Sequence, residues 1–238
     1  MVINDTAQAF FKSCGLKTYR LFPRKQTVPE TKRKGGTFDD GEKRLKSDNS
    51  GAEKRAPDAI TVIDYDPAWR TQFKQLRSII LPAIGDAAVA IEHVGSTAVP
   101  GLAAKPIIDI DVVVASPTMV SVAIERLAVI GYEHHGNLSV EGREAFGNPP
   151  GSPWHHVYVC VQGGTALQNH LALRDYLRSN SGAAAKYGQL KRQLATRFPT
   201  DIARYIDGKT DFILKVLRTR GLTDNQLIAI DAVNRLKP

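Results

Sequence analysis

Apolar positions along this chain follow two periods, and the periods alternate before the second half turns wholly helical. From Pro67 to Ile84, Trp69, Phe73, Leu76, Ile79 and Ile80 recur at helical spacing, and Asp66 is placed to cap the first turn. Ile60 to Tyr65 before it and Ala88 to Val94 after it read as strands. Pro106 to Ala115 is the most hydrophobic strand. Ser116 to Ile130 reads as a helix with Pro117 at its first position and Gly131 at its end. Gly131 to His135, Ala145 to Gly147 and His155 to Val161 read as further strands. From Thr165 onward the spacing predicts helices over 165–179, 182–197, 200–219 and 223–236. The fold class is α+β, with a sheet, flanking helices and a helical C-terminal part.

Composition changes the picture at the N-terminus. Residues from Arg24 to Ala56 are rich in Lys, Arg, Gly, Asp and Ser and poor in aliphatics, too polar to offset the entropy of ordering. The expected organisation is a basic, disordered extension over 1–57, a folded domain over 58–220 and a helical tail over 221–238. Gln8 to Leu21 could form a transient helix. Residues 1–56 carry 13 Lys/Arg against 7 Asp/Glu, a net of +6; the rest carries 19 against 17. The whole-chain charge of +8 therefore says little about the folded part. RNA contact through the basic extension is conceivable and not favoured.

Two cysteines, Cys14 and Cys160, form neither a disulfide framework nor a zinc-ligand spacing. That suits a reducing, cytoplasmic setting. No apolar run reaches the ~20 residues that span a bilayer. The N-terminus lacks a compact apolar core for a secretory signal. Its basic residues, with few acids before Glu30, are compatible with an organellar transit peptide, though disorder is the simpler reading.

The chemistry concentrates in IEHVGSTAVPGLAAKPIIDIDVVV, Ile91 to Val114. Asp109 and Asp111 alternate with apolar residues, so both point to one face of the strand. Two aligned carboxylates repel each other and lose hydration, and a divalent cation such as Mg²⁺ is the usual reason to keep them. The Gly95-Ser96-Thr97 turn upstream could bring backbone N–H groups to a phosphate. A lone Gly-Ser turn proves nothing; its weight comes from the acids that follow. Lys105 could meet a phosphate, against the simpler reading of a solvated loop lysine. His155, His156 and Tyr158 sit on a strand, with His156 and Tyr158 on one face; a histidine here suits a general base, a phosphate donor or a metal ligand, and equally a hydrogen-bonded structural histidine. His170, Arg174 and Arg178 are spaced i, i+4, i+8 on one helix face, a cationic row suited to a triphosphate or polynucleotide. The bland alternative is a surface pair between Asp175 and Arg178. Lys186, Lys191, Arg192 and Lys209 are expected to be mostly solvated, with one or two lining a groove.

HVGSTAVPGLAAKPIIDIDV resembles the signature of the GrpB (UPF0157) family. WHHVYVC, NHLALRDYLR, KYGQLKRQLATRF and DIARYIDGKTDFI extend the resemblance over about residues 58–220. It implies a fold like the polymerase-β-type nucleotidyltransferases: a mixed sheet with flanking helices and a helical C-terminal part. It further implies that Gly95 and Ser96 cradle phosphate and that Asp109 and Asp111 hold Mg²⁺. A third carboxylate usually completes such a site. The strand expected to carry it, His155 to Val161, offers His156 and Tyr158 instead, with Glu141 and Glu144 as substitutes from a loop. In some bacteria a similar domain is fused to dephospho-CoA kinase; this chain has no GxxxxGK[ST] loop of its own. The leading expectation is a Mg²⁺-dependent transfer of a nucleoside monophosphate from an NTP to an unknown acceptor. Asp109, Asp111 and His156 would be catalytic, and Gly95, Ser96, Thr97, Lys105, Arg174 and Arg178 would bind the nucleotide. The alternative is a non-catalytic domain that binds a nucleotide or a CoA-related ligand.

Overall fold

The computed structural model describes residues 59–236. The expected basic extension, its transient helix and its RNA contact lie outside the described residues. Helix α1 spans Ala68–Ile84. Strand β1 (Ala88–Val94) and strand β2 (Ile108–Val114) follow, with the Gly-Ser turn between them. Helix α2 (Thr118–Val129) leads to β3 (Glu133–His134), β4 (Arg143–Gly147) and β5 (His155–Val161). Four helices complete the chain: α3 (Thr165–Ser179), α4 (Ser181–Arg197), α5 (Ile202–Thr219) and α6 (Asp224–Asn234).

The strands form one mixed sheet in the order β1-β2-β5-β4-β3, parallel only between β2 and β5. That single parallel pairing needs a crossover, which α2 and the β3–β4 hairpin supply. The apolar side of β2, with Ile108, Ile110, Val112 and Val114, packs with Val157 and Val159 of β5 against α1 and α2. Trp69, Leu76, Ile80 and Ile84 of α1 and Ala123 and Leu127 of α2 complete that core. The opposite side, where Asp109 and Asp111 stand, is covered by α3 and the helices behind it. Val113 and Cys160 pack there on Ala166 and Leu167. Both sides of β2 are thus covered, which is why its sequence is apolar nearly throughout.

Two expectations need correction. Ile60 to Tyr65 is not a strand; it makes one isolated bridge, Ile63 to Ala104, because β1 edges the sheet and nothing continues the ladder there. Ile79, counted on the buried face of α1, is 58% exposed; 79 and 80 lie about 100° apart around a helix, and Ile80 takes the core position. Of the C-terminal lysines, one or two of which were expected to line a groove, Lys191 is 2% exposed and Lys209 reaches the cavity wall. Asp66 does brace the start of α1, accepting from the Ala68 N–H at 2.8 Å.

Candidate nucleotide and metal site

The turn after β1 turns back tightly because Gly95 adopts φ +70°, a left-handed conformation favouring glycine. A side chain is also excluded by space, since a Cβ at 95 would lie 2.1 Å from Asp109 Oδ2. The turn is braced from below. Thr97 donates its hydroxyl to the Ile107 carbonyl at 3.1 Å, so it accepts from the Nε2–H of His93, also at 3.1 Å. His93 stacks on Phe73 at 4.6 Å, and burial pushes its pKa down to about 4, so it stays neutral. Thr97 is buried and spent on this brace. Arg178 donates to the Ala98 carbonyl at 2.9 Å and holds the far end of the turn.

The two acids of β2 each meet a histidine. Asp109 accepts from His156 Nδ1 at 2.7 Å, and Asp111 from His170 Nδ1 at 2.8 Å. In the neutral rings this leaves Nε2 as the lone-pair nitrogen. Burial raises the Asp109 carboxyl, but His156 outweighs it by hydrogen bond and charge, with help from His170 and Lys105, and holds it below the ordinary carboxylate value. Asp111 is completely buried. Burial also lowers the pKa of Lys105.

Arg174 is spent largely on protein. It reaches Glu92 at 2.6 Å, Asp175 at 2.7 Å and the His93 carbonyl at 3.1 Å. The row His170, Arg174, Arg178 does share one face of α3, and that face reaches in turn Asp111, β1 and the Gly-Ser turn. Glu92, the cross-strand partner of Asp111 in β1, is a carboxylate on the acids' side of the sheet. Glu144 is the cross-strand partner of Val159, on the other face, and bonds His134 at 2.7 Å. Glu141 lies in the wall of the cavity.

Two of the lysines considered for a groove join the site. Lys191 of α4 donates to Ser96 Oγ at 2.8 Å, and burial pushes its pKa down to about 7. Lys209 of α5, near enough to sense the Asp109 charge, is pushed down to about 8 by burial. The signal was present: Lys191 interrupts a buried helical stripe of Ala184, Tyr187, Gly188, Leu194 and Ala195. A lysine on an apolar face has a polar partner or a ligand. Arg143 of β4 was not singled out from the sequence. Its guanidinium lies 4.4 Å over the Tyr158 ring, and its buried Nε has no hydrogen-bond partner among the described residues.

A cavity of about 690 Å³ opens between the sheet and the C-terminal helices. Gly95, Ser96, Asp109, Arg143, His170 and Lys209 share its wall. Of the other expected site residues, Arg174 also reaches the wall, whereas Thr97, Lys105, Asp111, His156 and Arg178 are not part of it. The aspartates suit a divalent cation by charge. The remaining donors within reach, Cys160 and His170 beside Asp111, are sulfur and nitrogen rather than a third carboxylate.

The family profile for GrpB protein matches residues 59–219. The UPF0157 protein YqkA of Bacillus subtilis (strain 168) is 37% identical over 154 residues, covering 65% of this chain and 45% of that protein. The chain therefore spans less than half the length of that relative. The crystal structure of the conserved protein GrpB from Enterococcus faecalis superposes with a TM-score of 0.60 at 38% identity, covering 67% of this chain and 96% of that one. A more remote likeness is to a Cid1 poly(U) polymerase bound to MgGTP, with a TM-score of 0.42 and 17% identity over 57% of this chain and 45% of that one. The matched segment runs to the last residue of α5 and contains the whole sheet and every site side chain from Glu92 to Lys209: the chain belongs to the GrpB family.

Proposed function

We propose that the cavity is the donor-nucleotide site of a nucleotidyltransferase, which moves a nucleoside monophosphate from an NTP to an acceptor. One observation carries the reading. A glycine turn is pressed against the first of two aligned aspartates, and a buried lysine reaches the same turn from behind. The phosphate turn and the first aspartate thus share the cavity wall, with a neutralising cation directly behind it.

In such a transfer an acceptor oxygen attacks the α-phosphorus while the bond to the β-phosphate breaks and pyrophosphate leaves. The Gly95–Ser96 turn offers N–H groups and a hydroxyl to the phosphates. Lys191 and Lys209 supply charge beside them, more effectively for being out of water. Arg143 adds a guanidinium to the same cavity wall. His156, with Nδ1 held by Asp109, keeps its Nε2 lone pair for the acceptor's proton. Asp109 and Asp111 would hold a divalent ion, which supplies charge neutralisation when bound. Arg174 and Arg178 position the turn.

The test is a melting-temperature panel with ATP, GTP, CTP, UTP and dephospho-CoA, each with and without Mg²⁺. A metal-dependent rise with an NTP, lost in Asp109→Asn, supports the reading. Unchanged nucleotide affinity in Asp109→Asn sinks it. A second reading is a binding domain without turnover. It is favoured by β5, which sets His156 and Tyr158 opposite Asp109 and Asp111 where an acid would complete a two-metal site. It predicts a shift without metal and no pyrophosphate release.

A further inference from the structure

The transferase reading leaves Cys160 and His170 unused beside Asp111. Asp111 of β2, Cys160 of β5 and His170 of α3 each offer one ligand atom, and these atoms all lie within 4.8 Å of one another. Three different elements deliver them. Val113 and Cys160 are register partners in the parallel pair, so Cys160 sits one step diagonally from Asp111 on the same face. α3 crosses that face and sets His170 Nδ1 against Asp111. Ligands of one zinc ion, at bonds of about 2.0–2.3 Å, stand within roughly 4 Å of each other, so small side-chain movements suffice.

We propose that Asp111, Cys160 and His170 form a mixed oxygen, sulfur and nitrogen site for a borderline-soft divalent ion of the zinc or cobalt kind, rather than for magnesium. Magnesium demands near-octahedral oxygen and has little use for a thiolate or an imidazole. The charge also balances. One carboxylate, one thiolate and one neutral imidazole cancel a divalent cation, which a buried site needs because an uncompensated charge there is costly. Loading releases the thiol proton to solvent or buffer, while the His170 proton moves from Nδ1 to Nε2 so that the ring stays a neutral imidazole. A nucleophilic Cys-His-Asp arrangement is a poorer account of the same residues. Cys160 is fully buried, and burial with the neighbouring Asp111 charge pushes its thiol pKa up. No substrate reaches it.

The proposal shares Asp111 with the transferase reading and goes beyond it by naming the metal class. The experiment uses the 238-residue chain carrying Cys14→Ser, which leaves Cys160 as its sole thiol. The chelator-treated protein is titrated with Co²⁺ alone. The expected result is one equivalent bound, with a thiolate-to-cobalt charge-transfer band in the near ultraviolet. Adding Cys160→Ser should abolish the band while the metal-free protein keeps its helical circular dichroism, although a buried hydroxyl lowers its melting temperature. His170→Gln should weaken Co²⁺ binding by about tenfold or more. Zn²⁺ should displace the cobalt and Mg²⁺ should not. Absence of the band, a band that survives Cys160→Ser, or displacement by equimolar Mg²⁺ would each overturn the proposal. If the band is absent while an NTP with Mg²⁺ still raises the melting temperature, the transferase reading stands and the metal assignment falls. If the band is present and no nucleotide binds, the reverse holds.

Discussion

Gly95 is constrained twice, by its positive φ and by the Asp109 carboxylate where a Cβ would go. Gly95→Ala should cost about 1–3 kcal/mol in urea denaturation, and it should displace Asp109 and weaken NTP binding with it. Full stability in that variant would mean that the turn relaxes freely. Lys191 makes a different prediction. Its folded pKa lies near 7 against an ordinary 10.5, so between those values the folded chain binds fewer protons than the unfolded one. Stability should therefore rise as pH goes from about 7 to 10, and that gain is absent below 7. Lys209, near 8, works in the same direction. Lys191→Met should flatten the slope of melting temperature against pH. A bound triphosphate holds the ammonium form, so NTP binding at pH 8 should take up protons, measured as a buffer-dependent binding enthalpy. No proton uptake would remove Lys191 from the phosphate site.

At the scale of elements, α3 acts as a strut. His170, Arg174 and Arg178 contact β2, β1 and the Gly-Ser turn in sequence, one helical turn apart. Arg174 and Glu92 should be coupled. A double-mutant cycle of Arg174→Met with Glu92→Gln should give an interaction of about 1 kcal/mol or more, since the guanidinium is largely buried and hydrogen-bonded. Arg174→Met should lower stability more than it lowers NTP affinity, and Lys191→Met should do the opposite. The helices were largely legible because their stripes run long: α3 begins and ends where spacing placed it, and β1 spans Ala88–Val94 as read. Ile60 to Tyr65 misled because alternation shows which residues suit a strand but not whether a neighbour is there to pair with.

For the molecule as a whole, α6 lies beyond the segment that matches the family profile, yet Ala229, Ile230 and Val233 contribute to the cavity wall. It is held by Leu227 and Ile230 against Leu217, and by Arg235, which pairs with Asp207 and Asp211 of α5 and with Asp231. Single exposed ion pairs contribute little, but three carboxylates on one guanidinium form a network. Arg235→Ala should speed amide exchange in α6 and leave the sheet unchanged. Protection of α6 equal to the unaltered chain would show that the apolar contacts suffice. Within the described residues no helix is long and apolar enough to cross a membrane.

Local spacing by itself determined the α+β class, the helical second half, the shared face of Asp109 and Asp111, and the turn that precedes them. Each depends only on the 2.0 and 3.6 residue periods and on glycine's backbone freedom. Tertiary structure alone decided the partners. It set His156 on Asp109 and His170 on Asp111, turned Arg174 to Glu92, placed Glu144 on the far face, and brought Lys191 and Cys160 into the site across 95 and 49 residues of chain from Ser96 and Asp111. Such pairings are long-range consequences of strand order and helix packing, and a one-dimensional pattern carries the face of a residue but not what lies opposite it.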